Sequence, residues 1–450
     1  MKAVPSVTIA VAALLSAATP AVAGSDNDAA AAALSLEQAV DLAYRHNHLL
    51  ASTARGVSEA EERAAAIRTR RLPALHVDAF GGRLLNSFQL AIPAGALGTI
   101  GAFPTKDNSL RVPTSWSGAA MVSLSQPITQ QYRIGLSLDI AQLDRQIAGE
   151  DLRRERQRVA SEVRTTYYQI SAREAGIVAL RDLVRSVEEL DAVTSRYFAE
   201  SLVLRSDALE VKARLARERQ RLEAAESELA AQREHLNQLL GRDVLEPFRV
   251  ATPSALASPA ASINLETSRQ RAQASRAEVR AASLRSSQAD TQRRLATAGW
   301  IPDVSLVASY TRLTNSETTP QDVGTVGVFF SWEAFDWGRK GHEAKEREHA
   351  TEQAREGRLE AEQQIAVEVG QRWRGVRDAA ALLEATRLEA DASAASLDTD
   401  RSRYRENAAI LRDVLRTEAR LSGARHDFTD ALAGYWSAVA ELERTMGDEN

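Results

Sequence analysis

Seven histidines and three methionines are the only soft-metal ligands in this cysteine-free chain, so any metal chemistry must show in their spacing. His46-Asn47-His48 has the letters of a nuclease fragment, but three adjacent letters in a helical stretch define no ligand geometry. His342, His349 and His426 stand alone among charged residues, the pattern of solvated helix faces rather than of zinc ligands. Three methionines make no path for soft metals. Phosphate-cradling glycine loops, nucleophile elbows and zinc-protease histidine pairs do not occur. Without cysteine there are no disulfides, no thiolate metal sites, no cysteine nucleophile and no lipidated N-terminal cysteine. The expectation is no catalytic residue, no metal and no cofactor: a protein that is not an enzyme. The constellation that remains is electrostatic. Asp398 and Asp400 stand two apart, followed by Arg401, Arg403 and Arg405. Neighbouring carboxylates attract cations. The same run also reads as a solvated helix face, with the arginines free to pair with neighbouring helices.

The elements that would position this run are written twice. Arg196-Tyr197, Ser206-Asp207-Ala208-Leu209 and Ala213-Arg214-Leu215 return as Arg403-Tyr404, Arg412-Asp413-Val414-Leu415 and Ala419-Arg420-Leu421, with one residue fewer after the Arg-Tyr pair. Each copy lies between long runs rich in Ala, Glu, Arg and Leu, and marks the tip where a long helix turns back. A chain of two similar halves is read as a repeat before any site is considered. Before the first tip, Val163, Tyr167, Ile170, Ile177, Leu180, Val184 and Val187 make a helical stripe; after it, Leu215, Leu222, Leu229 and Leu236 recur every seven residues. Val369, Val376 and Leu383 repeat the spacing in the second half, and Phe428, Leu432, Tyr435, Val439, Leu442 and Met446 return. Sustained sevens mean helices winding on one another.

Ahead of the first half, Lys2, an apolar run and Ala21-Val22-Ala23 before Gly24 read as a secretory signal peptide over 1–23. The first repeat, 24–241, reads as a helix over 35–71, strands over about 74–80 and 119–126, and a helical hairpin over about 130–241. Ser35 with Gln38 makes a capping box, and Pro73 stops the helix. A linker over 242–262 contains Pro247, Pro253 and Pro259. The second repeat, 263–446, reads as a helix over 263–299, strands over about 303–310 and 325–332, and a hairpin over about 338–446. Residues 81–117, with three prolines and several glycines, read as a long loop. Aromatic residues are 5% and charged residues 26% of the chain, a balance suited to extended helical packing, and a net charge of −5 implies no attraction to nucleic acid.

The strands decide the class. Four strands do not close a membrane barrel, which needs about eight or more, and an open sheet leaves its edges unpaired. Closed rotational symmetry resolves this, with three copies supplying twelve strands. The fold class expected is mainly α with a membrane β-barrel, built from two tandem repeats of helix, two strands and a long helical hairpin. Seven residues per strand are short against the usual 9–11 for a bilayer, so the strand ends must run into flanking residues.

In this order the motifs resemble the TolC-like outer membrane factor family over nearly the whole mature chain. The resemblance rests on Leu34-Ser35-Leu36-Glu37-Gln38-Ala39, Leu72-Pro73, Gln126-Pro127-Ile128, Asn237-Gln238-Leu239-Leu240-Gly241, Trp300-Ile301-Pro302, Phe335-Asp336-Trp337-Gly338-Arg339 and the two tips. It implies a homotrimer with a twelve-stranded barrel among outer membrane lipid of a Gram-negative bacterium, continued by a helical tunnel through the periplasm; that it is not lipidated is expected from the absence of cysteine. The partners implied are a periplasmic adaptor and an inner-membrane pump of an efflux or type I secretion system. Tips of the family carry Gly-Leu where this chain has Glu200-Ser201 and Asn407-Ala408. Asn tolerates the left-handed turn; for Glu, the extra residue of the first tip is expected to relieve the turn. The adaptor-docking surface expected is Glu200, Ser201, Leu202, Val203, with Leu204, and Asn407, Ala408, Ala409, Ile410, with Leu411, although these apolar residues equally read as packing of the turns. Asp398 best matches the family's acidic ring at the tunnel's mouth, with Asp400, Arg401 and Arg403 beside it as gate candidates. A periplasmic adaptor, with one hairpin between lipoyl-like halves, and a soluble structural coiled coil are the alternative readings.

Overall fold

Four strands and four helices follow one another in the same lateral order. The computed structural model describes residues 33–83, 85, 88–96, 105–106, 108–112, 116–251, 264–314, 320–406, 408 and 411–447. The first repeat consists of α1 (Leu36–His46), α2 (His48–Thr69), β1 (Ala74–Arg83), a hairpin of β2 (Phe88–Ile92) and β3 (Asn108–Val112), β4 (Trp116–Pro127), α3 (Gln130–Ala199) and α4 (Arg205–Leu240). The second consists of α5 (Leu265–Ser275), α6 (Ala277–Thr297), β5 (Asp303–Thr314), β6 (Asp322–Ser331), α7 (Arg339–Arg405) and α8 (Leu411–Met446). The main sheet has the order β1-β4-β5-β6, antiparallel throughout. Next to it α2 packs on α3, α3 on α6 and α6 on α7. Each helix therefore continues its own strand. Farther along, the order becomes α4, α3, α8, α7. At 70 and 67 residues, α3 and α7 serve both levels. Each is about 100 Å long at 1.5 Å per residue.

The change of level falls on two breaks that the sequence does not announce. The expected single helix over 35–71 is two helices, divided at Asn47 (ψ 122°), whose side chain accepts from the Leu49 and Leu50 amides and donates to Leu239 O at 2.8 Å. The expected helix over 263–299 divides at Arg276 (ψ 130°), whose guanidinium reaches Glu278 and Glu368. Against each break the returning helix of the same repeat ends on a left-handed glycine, Gly241 (φ 67°) and Gly447 (φ 82°). A Cβ on Gly241 would lie 2.1 Å from His46 O, and one on Gly447 3.1 Å from the Ser275 backbone. The conflict between a straight first helix and the returning chain is resolved by breaking the helix.

Around the first break the core is continuous. Val159, Val163, Tyr167 and Ile170 of α3 pack on Leu229, Leu236 and Leu240 of α4, with Ala39 and Ala43 of α1 above them. Of the four leucines spaced by seven, Leu215, Leu229 and Leu236 are buried and Leu222 is partly so. Val376 and Leu383 meet Tyr435, Val439 and Leu442 in the second repeat. The linker is more than a spacer: Leu34 and Val250 form a parallel bridge, and the Tyr167 hydroxyl lies 2.8 Å from Leu34 O and 2.9 Å from Ala251 O.

The strands are longer than their alternation suggests. The expected spans 74–80, 119–126, 303–310 and 325–332 are strands of 10, 12, 12 and 10 residues. Part of the expected loop 81–117 is also extended, as the ends of β1 and β4 and the β2–β3 hairpin. Register sorts the side chains onto two faces. One carries Leu75 and Val77, Val122 and Leu124, Leu306, Ala308 and Tyr310, Val326, Val328 and Phe330. The other carries His76 opposite Ser123, Ser123 opposite Ser309 and Ser309 opposite Thr325, with Asp78 and Thr311 one row away. Phe80, Met121, Val307, Leu313, Val323 and Phe329 interrupt that face, whose other residues are small or polar. Among the described residues no helix is long and apolar enough to cross a membrane.

Candidate functional site

The first tip is a helix stop with an unusual residue at its turning point. Leu202 N–H donates to Tyr197 O at 2.8 Å and Ser201 N–H to Phe198 O at 3.0 Å, the pair of bonds that closes a helix through one left-handed residue. That residue is Ser201, with φ 59°, while Glu200 keeps φ −86°. The expectation that Glu200 takes the glycine position is therefore corrected. In the second tip the equivalent bond runs from Ala408 N–H to Arg403 O at 2.8 Å. Tyr197 thus corresponds to Arg403, and the Arg-Tyr pairs stand one residue out of step with the turns. The missing residue is not inside the turn, so no extra residue relieves Glu200, which needs no relief.

Beyond Ser201 the chain presents Leu202 and Leu204, 66% and 69% exposed, with Tyr197, Phe198 and Leu209 also on the surface. Val203 is partly buried, and Glu200 is exposed. Ala408 is exposed in the second tip; Asn407, Ala409 and Ile410 lie outside the described residues. Beneath the turns Leu397 packs with Val414 and Leu421, and Val187 with Leu215, so each tip rests on its own small core.

The mouth candidates fall into two kinds. Asp400 accepts from the Thr417 hydroxyl at 2.5 Å, and Arg401 pairs with Glu418 at 3.1 Å. Glu418 also accepts from the Ser186 hydroxyl of α3 at 3.4 Å, so Arg401 and Glu418 tie the second hairpin to the first. Asp398 and Arg403 are exposed and have no side-chain partner among the described residues. Thr417, Glu418 and Ser186 were not legible as partners of Asp400 and Arg401, because only hairpin packing brings them together.

Several of the remaining motifs build the joint between strands and helices. Gln126 and Gln131 both donate to Arg71 O, at 3.0 and 2.8 Å. The Thr129 hydroxyl donates to Pro302 O at 2.6 Å and accepts from Val304 N–H, and Arg133 pairs with Asp303. Asp336 caps α7 through the Gly338 and Lys340 amides. The Lys340 amide chiefly, against a desolvation cost, holds its carboxyl below the usual carboxylate range. Lys340 lies over the Trp300 ring at 5.5 Å. These contacts convert four strands into four helices with their order kept, and they perform no chemistry. Among the described residues no group of three or more His, Asp or Glu is arranged to hold a metal.

The sequence profile of the family described as "Outer membrane efflux protein" matches residues 39–242 and again 268–448. The chain belongs to the outer membrane efflux protein family. This family comprises outer membrane channels rather than enzymes. Its two matched segments coincide with the two repeats. No curated protein matches the chain. Solved structures that share the fold include a membrane protein from Pseudomonas aeruginosa, 18% identical with a TM-score of 0.75 over 92% of this chain and 90% of that one. The outer membrane protein VceC of Vibrio cholerae is 16% identical, with a TM-score of 0.71 over 92% and 96%. The Campylobacter jejuni CmeC outer membrane channel is 14% identical, with a TM-score of 0.75 over 92% and 85%.

Proposed function

We propose that three copies of this chain form a passive exit duct, a twelve-stranded barrel in the outer membrane of a Gram-negative bacterium continued by a helical tunnel into the periplasm. The observation that carries this reading is the open arc. Sheet and helices share one lateral order, and both end on free edges, β1 with α2 and β6 with α7. Because β1 and β6 run antiparallel, β6 of one copy continues the ladder onto β1 of the next in the same sense. One chain is too small to close. Two would make eight strands, whose interior side chains fill; three leave a lumen. The apolar face then meets lipid and the hydroxyl-bearing face meets water, with every backbone group paired within the sheet.

The tips dock a periplasmic adaptor that joins the duct to an inner-membrane pump, which supplies the energy. Leu202 and Leu204 make the contact in the first tip, with Glu200, Ser201 and Val203 framing it; Asn407, Ala408, Ala409 and Ile410 take that part in the second. Asp398 faces the mouth. Asp400, Arg401 and Arg403 belong to the approach, and the Arg401–Glu418 pair is a latch that yields when the tips spread. The chain lacks cysteine and therefore carries no lipid on an N-terminal cysteine. Replacing Leu202 and Leu204 by Glu in cells tests the docking surface. Export of the system's cargo should fall at least tenfold while trimers persist in the outer membrane. Undiminished export would overturn the assignment.

A further inference from the structure

We propose that His76 and Asp78 form a titratable charge belt on the inner wall of the barrel. The belt makes the pore prefer cations when the imidazoles are neutral, and the preference is lost when they are protonated. The proposal rests on the barrel reading above. Both residues lie on the hydroxyl-bearing face, His76 third and Asp78 fifth among the ten residues of β1. Charged side chains on the lipid face of a barrel strand are unfavourable near mid-membrane, so the face that bears them is the inner one. Among the described strand residues of that face, the only charged or titratable side chains are His76, Asp78 and Asp303. Asp303 is already paired with Arg133 at the base of the sheet.

His76 and Asp78 are both exposed and have no hydrogen-bond or ion-pair partner among the described residues. Across the sheet they meet only Ser123 and Met121 of β4, Ser309 and Thr311 of β5, and Thr325 and Val323 of β6. None of these ionises. β1 is an edge strand, so in the barrel its other neighbour is β6 of the next copy, whose residues on this face, Val323, Thr325, Gly327, Phe329 and Ser331, do not ionise either. Among the described strand residues of this face nothing offsets Asp78 except His76, two positions away. Three copies therefore set three carboxylates and three imidazoles at one level. The belt carries three negative charges with neutral imidazoles and none with protonated ones. Histidine is the side chain suited to such a change near neutral pH. At about 10 mM salt the screening length is about 30 Å, long enough for wall charge to act across a lumen; at 1 M it is about 3 Å.

The test is the reversal potential of purified full-length protein in planar bilayers, under a KCl gradient at low salt, at pH 8 and pH 5.5. The cation-to-anion permeability ratio should fall at least twofold between the two. H76Q should keep the pH 8 ratio at both values, and D78N should lower it at pH 8. D398A, at the mouth, should leave the pH-sensitive part in place. Because the chain has no cysteine, H76C and D78C can be probed on intact cells with a membrane-impermeant thiol reagent, and both should react while V77C does not. A conducting pore whose selectivity and pH response are unchanged by H76Q and D78N would overturn the belt and leave the barrel standing. Protein without conductance, with all three cysteines equally reactive, would overturn the barrel and the belt with it.

Discussion

The core around the helix breaks and the four-stranded sheet are built to opposite specifications. At the breaks, Ile170, Leu236, Leu240, Tyr435 and Leu442 are almost wholly buried within a single chain. In the sheet, β6 is exposed along its whole length and β1 at all but one position, on both faces, and each has an unpaired edge. One region is finished by its own sequence. The other, in the proposed barrel, is finished by lipid outside, water inside and a neighbouring copy at each edge. The comparison teaches that the two regions answer to different constraints, so mutations in them should fail differently.

The largest effect is expected where the core is tightest. Gly241→Val places a branched side chain at a left-handed position and against His46 O. It should cost on the order of 3 kcal/mol or more. Leu236→Ala should cost about 2–5 kcal/mol. Both should appear as a lowered midpoint for loss of helical signal in denaturant; an unchanged midpoint would remove the break from the core. A middling effect is expected in the sheet. Val328→Arg, on the apolar face, should cost about 2–4 kcal/mol per copy at mid-membrane, reducing insertion while soluble helical content survives. Ser309→Arg, on the other face, should insert normally. Equal tolerance at both would erase the distinction between faces.

The smallest effect concerns the charge cluster beside the second break. Burial alone would raise the Glu441 carboxyl, but the Ser161 hydroxyl, Arg444 and Arg372 together hold it below its usual range. A depressed carboxylate contributes stability that is present above its ordinary pKa and lost as pH falls through the depressed value. Acid titration of thermal stability should therefore show a loss below about pH 4.5, and Glu441→Gln should flatten it. A profile identical in both proteins would mean the cluster contributes nothing.

Much of this was legible in one dimension. The sevens at Leu215, Leu229 and Leu236 are core, and the repeated Arg-Tyr marks both tips. Period and repetition survive folding because they are local. The features that were not legible are relations between segments. The helices break at Asn47 and Arg276 with no proline or glycine nearby in sequence, where the returning Gly241 and Gly447 lie close against His46 and Ser275. Strand ends were underestimated because Gly118 and Arg312 are drawn into the ladder by neighbours from the other repeat. At the first tip, letters aligned Glu200 with Asn407, whereas hydrogen bonds assign the turning role to Ser201. In the mouth run, composition could not distinguish Asp398, which is free of partners among the described residues, from Asp400, which holds Thr417.

The central claim is that the open arc closes with two further copies. The most direct test is negative-stain imaging of the protein extracted from outer membranes in mild detergent. Threefold particles well over about 100 Å long, as helices of this length joined to a barrel require, are the predicted result. Monomeric or short particles, released by salt or urea without detergent, would contradict it.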